Sequence, residues 1–177
     1  IETRFSRSTT PIEKATQFAY EHLDALGLEV AYHSYDLPGT GTRRNVIAEI
    51  EGTTDPDEVY ILCGHIDSTS KDPYNDAPGA DDNASGSVGV LIAADILSQY
   101  QWSCTLRLAL WTGEEQGLHG SAAYAQEAYA AGENIAGVLN LDMIAWNTPD
   151  SSRDMDLHAR ETMSATMDLA QLYADVV

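Results

Sequence analysis

Basic side chains are scarce in this sequence. Its 177 residues carry nine Lys and Arg against 28 Asp and Glu, a net charge of −19 and a pI near 4.2. Nucleic-acid binding needs a basic face to neutralise phosphates, so this class is excluded. Docking on anionic membranes is disfavoured for the same reason. The acidic excess reads foremost as a solvated surface, with steering of a cationic substrate terminus as the alternative. Lys14 and Lys71 are the only lysines. Cysteine is equally sparse: Cys63 and Cys104 are too few for a disulfide scaffold. No uninterrupted apolar run reaches the ~18 residues that a membrane-spanning helix requires. The chain opens on Ile1 with no basic-then-apolar leader, and residues 174–177 fall inside an apparent amphipathic helix. The expectation is therefore a single domain, residues 1–177, cut short at its C-terminus, from which any targeting segment is missing.

What is present is enough apolar content for a packed core, 44% of residues. Pro11 and the apolar stripe Ala15, Phe18, Ala19, Leu23 and Leu26 predict a helix over residues 12–28, stopped at Gly27. Strands are predicted over residues 28–37 and 45–51, joined by a turn at 38–41 into a hairpin. Three apolar runs, residues 59–63, 106–111 and 135–141, read as strands buried on both faces. Helices are predicted over residues 84–100 and 121–131, a further strand over 155–159 and a last helix over 161–177. Buried strands alternating with helices make this an α/β chain. The architecture expected is a three-layer α/β/α sandwich with a mixed, mainly parallel central sheet.

In open α/β sheets ligands bind beyond the carboxyl ends of the strands. There the sequence carries His65 and Asp67 after the first apolar run, Glu114 and Glu115 after the second, and Asp142 after the third. Asp81, Asp82 and Asn83 lie in a Gly-flanked loop before the helix at 84. Each has a plainer reading alone. An acidic pair is usually a solvated loop, Asp82 or Asn83 could cap the helix, His65 could be a structural donor, and Asp142 an ordinary end-of-strand acid. Together they are what a divalent metal needs, because grouped carboxylates without a cation repel one another. His65 is read as a metal ligand and Asp67 as the acceptor of its other ring proton. The pair Glu114–Glu115 suggests one carboxylate on metal and one free to take a proton from activated water. Asp82 has two oxygens with which to bridge two ions.

Gly64-His65-Ile66-Asp67-Ser68, Gly79-Ala80-Asp81-Asp82-Asn83-Ala84-Ser85-Gly86, Thr112-Gly113-Glu114-Glu115 and Asn140-Leu141-Asp142-Met143 resemble the co-catalytic di-zinc aminopeptidases, metallopeptidase family twenty-eight of clan MH. The resemblance implies the zinc-exopeptidase fold and two zinc ions in a complete enzyme. It implies Asp82 as the bridging ligand, followed by a cis peptide to Asn83. One ion would be held by Asp82, Glu115 and a second histidine, the other by His65, Asp82 and Asp142. Glu114 would be the general base and Met143 an edge of the pocket for the substrate's first residue; Asp67, as the residue that orients His65, is counted with Glu114 as catalytic. Activated water would then hydrolyse the N-terminal bond of peptides or proteins, in a secreted or extracytoplasmic enzyme.

The sequence departs from this pattern at the second histidine, which the family carries in a later Ser-Asp-His segment. His158 lies in the expected strand at 155–159 without that context, and His22, His33 and His119 read as surface or core histidines. The expectation is one zinc bound well, a second bound poorly, and little or no activity in this segment. Glutaminyl cyclases and carboxypeptidases share the fold, and a non-catalytic receptor or binding module is the alternative from another class. If strand ends align His65 with Glu114, Cys63 and Cys104 are offset by about eight residues, roughly 26 Å. Two free, buried thiols are expected.

Overall fold

Pro11 stands in the first turn of α1 (Thr10–Ala25), where its missing N–H would have no helical partner. Gly27, at φ 78°, stops the helix in the left-handed conformation that favours glycine. Ile12, Ala15, Ala19 and Leu23 turn inward, whereas Phe18, expected on the same stripe, is 62% exposed. The computed structural model describes residues 2–146, 157–159 and 164–176, and the chain divides into units Ile1–Ala145 and Trp146–Val177.

The first unit is built on β1 (Glu29–Leu37), β2 (Gly41–Ile50), β3 (Asp55–His65), β4 (Cys104–Trp111) and β5 (Asn134–Asn140), ordered β1-β2-β4-β3-β5. The predicted hairpin is present: β1 and β2 pair antiparallel, with the Thr40 N–H donating to Leu37 O at 2.9 Å. β2 is also antiparallel to β4, while β3 pairs parallel with both β4 and β5. Four strands thus run one way and β2 the other, the mixed α/β sheet expected.

Period-two alternation divides the core. Val46, Ala48, Leu108 and Leu110 face α1 and α2 (Gly86–Leu97), where they pack with Ala19, Leu23, Val90 and Ala94. Val59, Ile61, Cys63, Ala109 and Trp111 face the other way, onto Tyr124 and Ala128 of α3 (His119–Ala131). The three layers follow: α1 and α2, the sheet, then α3.

Five expectations need correction. The helix predicted from residue 84 begins as α2 at Gly86, because Asp82 and Asn83 hold non-helical dihedral angles within the preceding turn, Ala80–Ser85. Residues 135–141 are not buried: β5 pairs only with β3 among the described strands, and Val138 is 52% exposed. Tyr60, inside the run read as buried on both faces, is 36% exposed. Both cysteines are free, but only Cys63 is buried, Cys104 being intermediate. Cys63 pairs opposite Ala109, so the thiols are offset by five positions on β4 rather than eight. At about 3.3 Å per residue that separation, roughly 17 Å, still forbids a disulfide.

In the second unit the last helix, α4 (Ser164–Val176), is present. Of the strand expected at 155–159, residues 157–159 have no regular structure, and 155–156 lie outside the described residues, as do 161–163 and 177 of the expected helix.

Candidate metal centre

Parallel pairing decides where the chemistry collects. β3 ends at His65, opposite Trp111 at the end of β4, and Cys63 on β3 lies opposite Asn140 at the end of β5. The residues that follow each strand therefore emerge at one edge. His65, only 3% exposed, is the centre of that edge. Its Nε2 lies 3.1 Å from Asp82 Oδ1, 3.7 Å from Asp142 Oδ1 and 3.9 Å from Glu114 Oε2. Two sets of side chains have ligand atoms within 4.8 Å of one another: His65 with Asp82 and Asp142, and His65 with Glu114 and Glu115.

Of the residues singled out in the sequence, the structure thus brings together His65, Asp82, Glu114, Glu115 and Asp142. The first set equals the one that the resemblance implies for one ion. For the other, no group among the described residues joins Asp82 and Glu115 to a third ligand. His22 pairs with Asp95 at 3.0 Å, and His33 contacts Asn45 and Glu127, away from the edge. His119 begins α3, and His158 lies in the second unit.

Asp67 is fully buried beside His65, but its contact differs from the expectation. His65 Nδ1 lies 3.1 Å from the main-chain oxygen of Asp67 and 3.5 Å from the carboxylate. A carbonyl only accepts, so Nδ1 carries the proton. In the neutral ring Nε2 then turns a lone pair toward three carboxylates. The Asp67 Oδ1 atom accepts the Glu114 N–H at 3.3 Å, while its buried Oδ2 has no hydrogen-bond partner. A cation, or a proton on Nε2, resolves this clash of acceptors, and the donor set fits a divalent ion.

The electrostatics agree. Burial pulls the His65 imidazole down, but the hydrogen bond and charge of Asp67, with Glu114 and Asp142, outweigh it and push the group up to about 9. Burial, then repulsion from Asp82 and Asp67, pushes Glu115 up to about 7. Glu114 and Asp142 are raised for the same first reason, burial, with His65 opposing and neighbouring carboxylates adding to it.

Several supporting side chains were not legible as such. Asn83 follows the cis peptide to Asp82 that the resemblance implies, and its side chain is fully buried. Its Oδ1 accepts the Gly86 N–H at 2.9 Å, the capping role weighed from sequence, and also the Met143 N–H at 3.3 Å. Its Nδ2 donates to Leu141 O at 2.9 Å. Ser85 Oγ accepts the Ile144 N–H and Asp81 Oδ1 the Ala145 N–H, both at 3.0 Å. The loop bearing Asp142 is thereby laced to the turn bearing Asp82. Gly86 must be glycine here, since an added Cβ would collide with Leu141 O and the Asn83 amide. Met143, the expected pocket edge, is 56% exposed with φ 51°. Behind Glu114, Gly113 N donates to Ser6 Oγ at 2.7 Å, and Thr112 Oγ1 bonds the Tyr35 hydroxyl at 2.9 Å. The signal that could have found Asn83 was its place beside Asp82, with Gly86 three residues on.

A mixed α/β sheet flanked by helices, as found here, is the fold of the zinc-dependent exopeptidases. The model of Peptidase family M28 matches residues 45–175, and the chain belongs to that family. It is 40% identical over 117 residues to a probable zinc metalloprotease of Pyrenophora tritici-repentis, covering 64% of this chain and 24% of that protein. The chain spans about a quarter of the length of that curated relative. Its fold is similar to a leucine aminopeptidase precursor from Bacteroides thetaiotaomicron, with a TM-score of 0.68 at 20% identity over 80% of this chain and 57% of that one. It is similar too to a glutaminyl cyclase from Fimbriiglobus ruber, TM-score 0.69 at 20% identity, covering 82% and 58%.

Proposed function

We propose that this chain carries the zinc-binding core of a secreted or extracytoplasmic aminopeptidase that hydrolyses the N-terminal bond of peptides. The observation that carries this reading is the buried His65 Nε2, within 3.9 Å of carboxylates from three different segments. His65, Asp82 and Asp142 would hold one zinc, and Asp82 with Glu115 would contribute to a second. Bound there, zinc supplies Lewis acidity, lowering the pKa of water and polarising a carbonyl.

The remaining work falls to side chains. Glu114 is half-buried, and burial raises its pKa above the ordinary carboxylate value, which favours uptake of a proton. It accepts a proton from the attacking water and returns it to the departing amine. Asp67 holds the Glu114 main chain and the protonated face of His65, and Met143 borders the space for the first side chain of the substrate. The aminopeptidase assignment is supported by the order of the four motifs and by Asp142-Met143.

Calorimetric titration of the 177-residue chain with zinc tests the site. One tight ion is expected, with the second weak because no group among the described residues joins Asp82 and Glu115 to a third ligand; no tight zinc at all would refute the reading. Hydrolysis of aminoacyl-nitroanilides, abolished by chelator, is expected of any form that binds both ions. Cyclisation of N-terminal glutamine instead would reassign the activity.

A further inference from the structure

Arg4 lies far from the metal-centre motifs in sequence yet reaches both the segment that follows His65 and the start of the turn that carries Asp82. Its Nε donates to Ile66 O at 2.7 Å, one NH group to Pro78 O at 2.5 Å and the other to Gly79 O at 2.9 Å. Ile66 stands between His65 and Asp67; Gly79 opens the turn that carries Asp82. One planar guanidinium therefore spans both segments, and the fork geometry is what allows it to satisfy three carbonyls at once. Its main chain repeats the connection: Arg4 N donates to Ser68 Oγ at 3.2 Å, and Ser68 Oγ donates to Ala77 O at 2.6 Å. Neighbours fasten the strap further, Thr3 Oγ1 to Pro73 O at 2.6 Å and the Phe5 ring edge-on to Tyr74 at 5.0 Å. Gly79 is held at φ 50°, and an added Cβ would lie 3.1 Å from the Arg4 guanidinium. The charges of Asp67 and Asp82 both act on Arg4.

We infer that Arg4 is a positioning residue for the metal centre, fixing the separation between the His65–Asp67 segment and the Asp82 turn so that both reach one ion. The inference rests on the zinc reading above and deepens it: affinity for the ion depends on a strap that lies outside the matched residues 45–175.

Zinc affinity, measured by competition with a chromophoric chelator, tests it in the wild type and in the variants Arg4→Lys, Arg4→Met and Arg44→Met. Arg44 is the control, because it joins α1 to β2 through Thr16 and Glu13 and stacks on Tyr32 without touching the centre. Melting temperatures without zinc report the purely structural loss. Arg4→Lys keeps the charge but cannot bridge three carbonyls. Both Arg4 variants are expected to weaken zinc by about 10- to 100-fold, the range for residues that orient metal ligands. Arg44→Met should lose thermal stability with zinc affinity unchanged. Should Arg4→Met fail to fold, Arg4→Lys decides alone. Wild-type affinity in Arg4→Lys, or an equal loss in Arg44→Met, overturns the positioning role while leaving the zinc reading intact. Absence of zinc binding by the wild type overturns both.

Discussion

The Glu114 N–H donates to Asp67 Oδ1 at 3.3 Å, so the carboxylate buried beside His65 also anchors the loop of the proposed general base. Ligand and base are thereby referenced to one fixed group. Because the tie uses the main chain of Glu114, its side chain stays free to gain and lose a proton.

In any active form of the protein, Glu114→Gln should lower kcat by about 10²–10⁴-fold, the usual contribution of a positioned general base. The change is isosteric and leaves the N–H bond to Asp67 in place, so zinc should still bind at His65, Asp82 and Asp142. Steady-state kinetics combined with metal analysis checks both halves. Normal turnover by a zinc-loaded variant would remove Glu114 from the mechanism.

Asn83→Ala removes one side chain and strands three main-chain groups, those of Gly86, Leu141 and Met143. Each buried group left unpaired costs about 1–3 kcal/mol, and partial relaxation brings the expected total to roughly 2–4 kcal/mol. Zinc affinity should fall as well, because Asp142 stands between two of the released groups. Urea denaturation gives the first quantity and chelator competition the second. An Asn83→Ala protein that is destabilised but binds zinc normally would show that the Asp142 loop holds its own shape.

Most residues that carry the proposed chemistry could be read in the sequence because they stand at or just beyond the end of an apolar strand, and parallel pairing brings such positions to one edge; Asp82, in the turn before α2, was read from its Gly-flanked acidic motif. His65, Glu114 and Asp142 needed only that rule. Asn83 and Arg4 needed long-range knowledge, since their partners lie 58 and 75 residues away in the chain. The exposure of β5 escaped for another reason: a run such as Ile135-Ala136-Gly137-Val138-Leu139 reads the same whether or not its faces are covered. The thiol offset was misjudged because Glu114 is not level with His65; Trp111 is, and the Glu114 loop continues three residues beyond the sheet.

Thiol labelling separates the two cysteines. Cys63 is buried on the face of β3 that clusters with Trp111, Tyr124 and Ala128, and burial pushes its thiol up to about 11, leaving almost no thiolate near neutral pH. Cys104, at the other end of the sheet and half-buried, is the accessible one. A disulfide-exchange reagent should titrate at most one thiol in the native chain and two after denaturation. Mass mapping should put the native label on Cys104, and labelling of Cys63 first would contradict the packing of β3 against α3.

The last prediction concerns protons and zinc together. In the metal-free protein His65 is raised from 6.5 to about 9 and Glu115 from 4.5 to about 7. Both groups hold protons more tightly folded than unfolded. The stability that Glu115 contributes is therefore complete below pH 4.5 and lost as pH rises through about 7. That of His65 is complete below pH 6.5 and lost as pH rises through about 9. Zinc requires these ligands deprotonated, so it competes with the protons and replaces their stabilising charge. The gain in melting temperature from zinc should accordingly grow from mildly acidic to mildly alkaline pH. Calorimetry near neutral pH should show heats that vary with the ionisation enthalpy of the buffer, because His65 releases its proton on binding. A zinc-induced gain that stays flat across this range, with buffer-independent heats, would mean that the ion binds elsewhere than at His65.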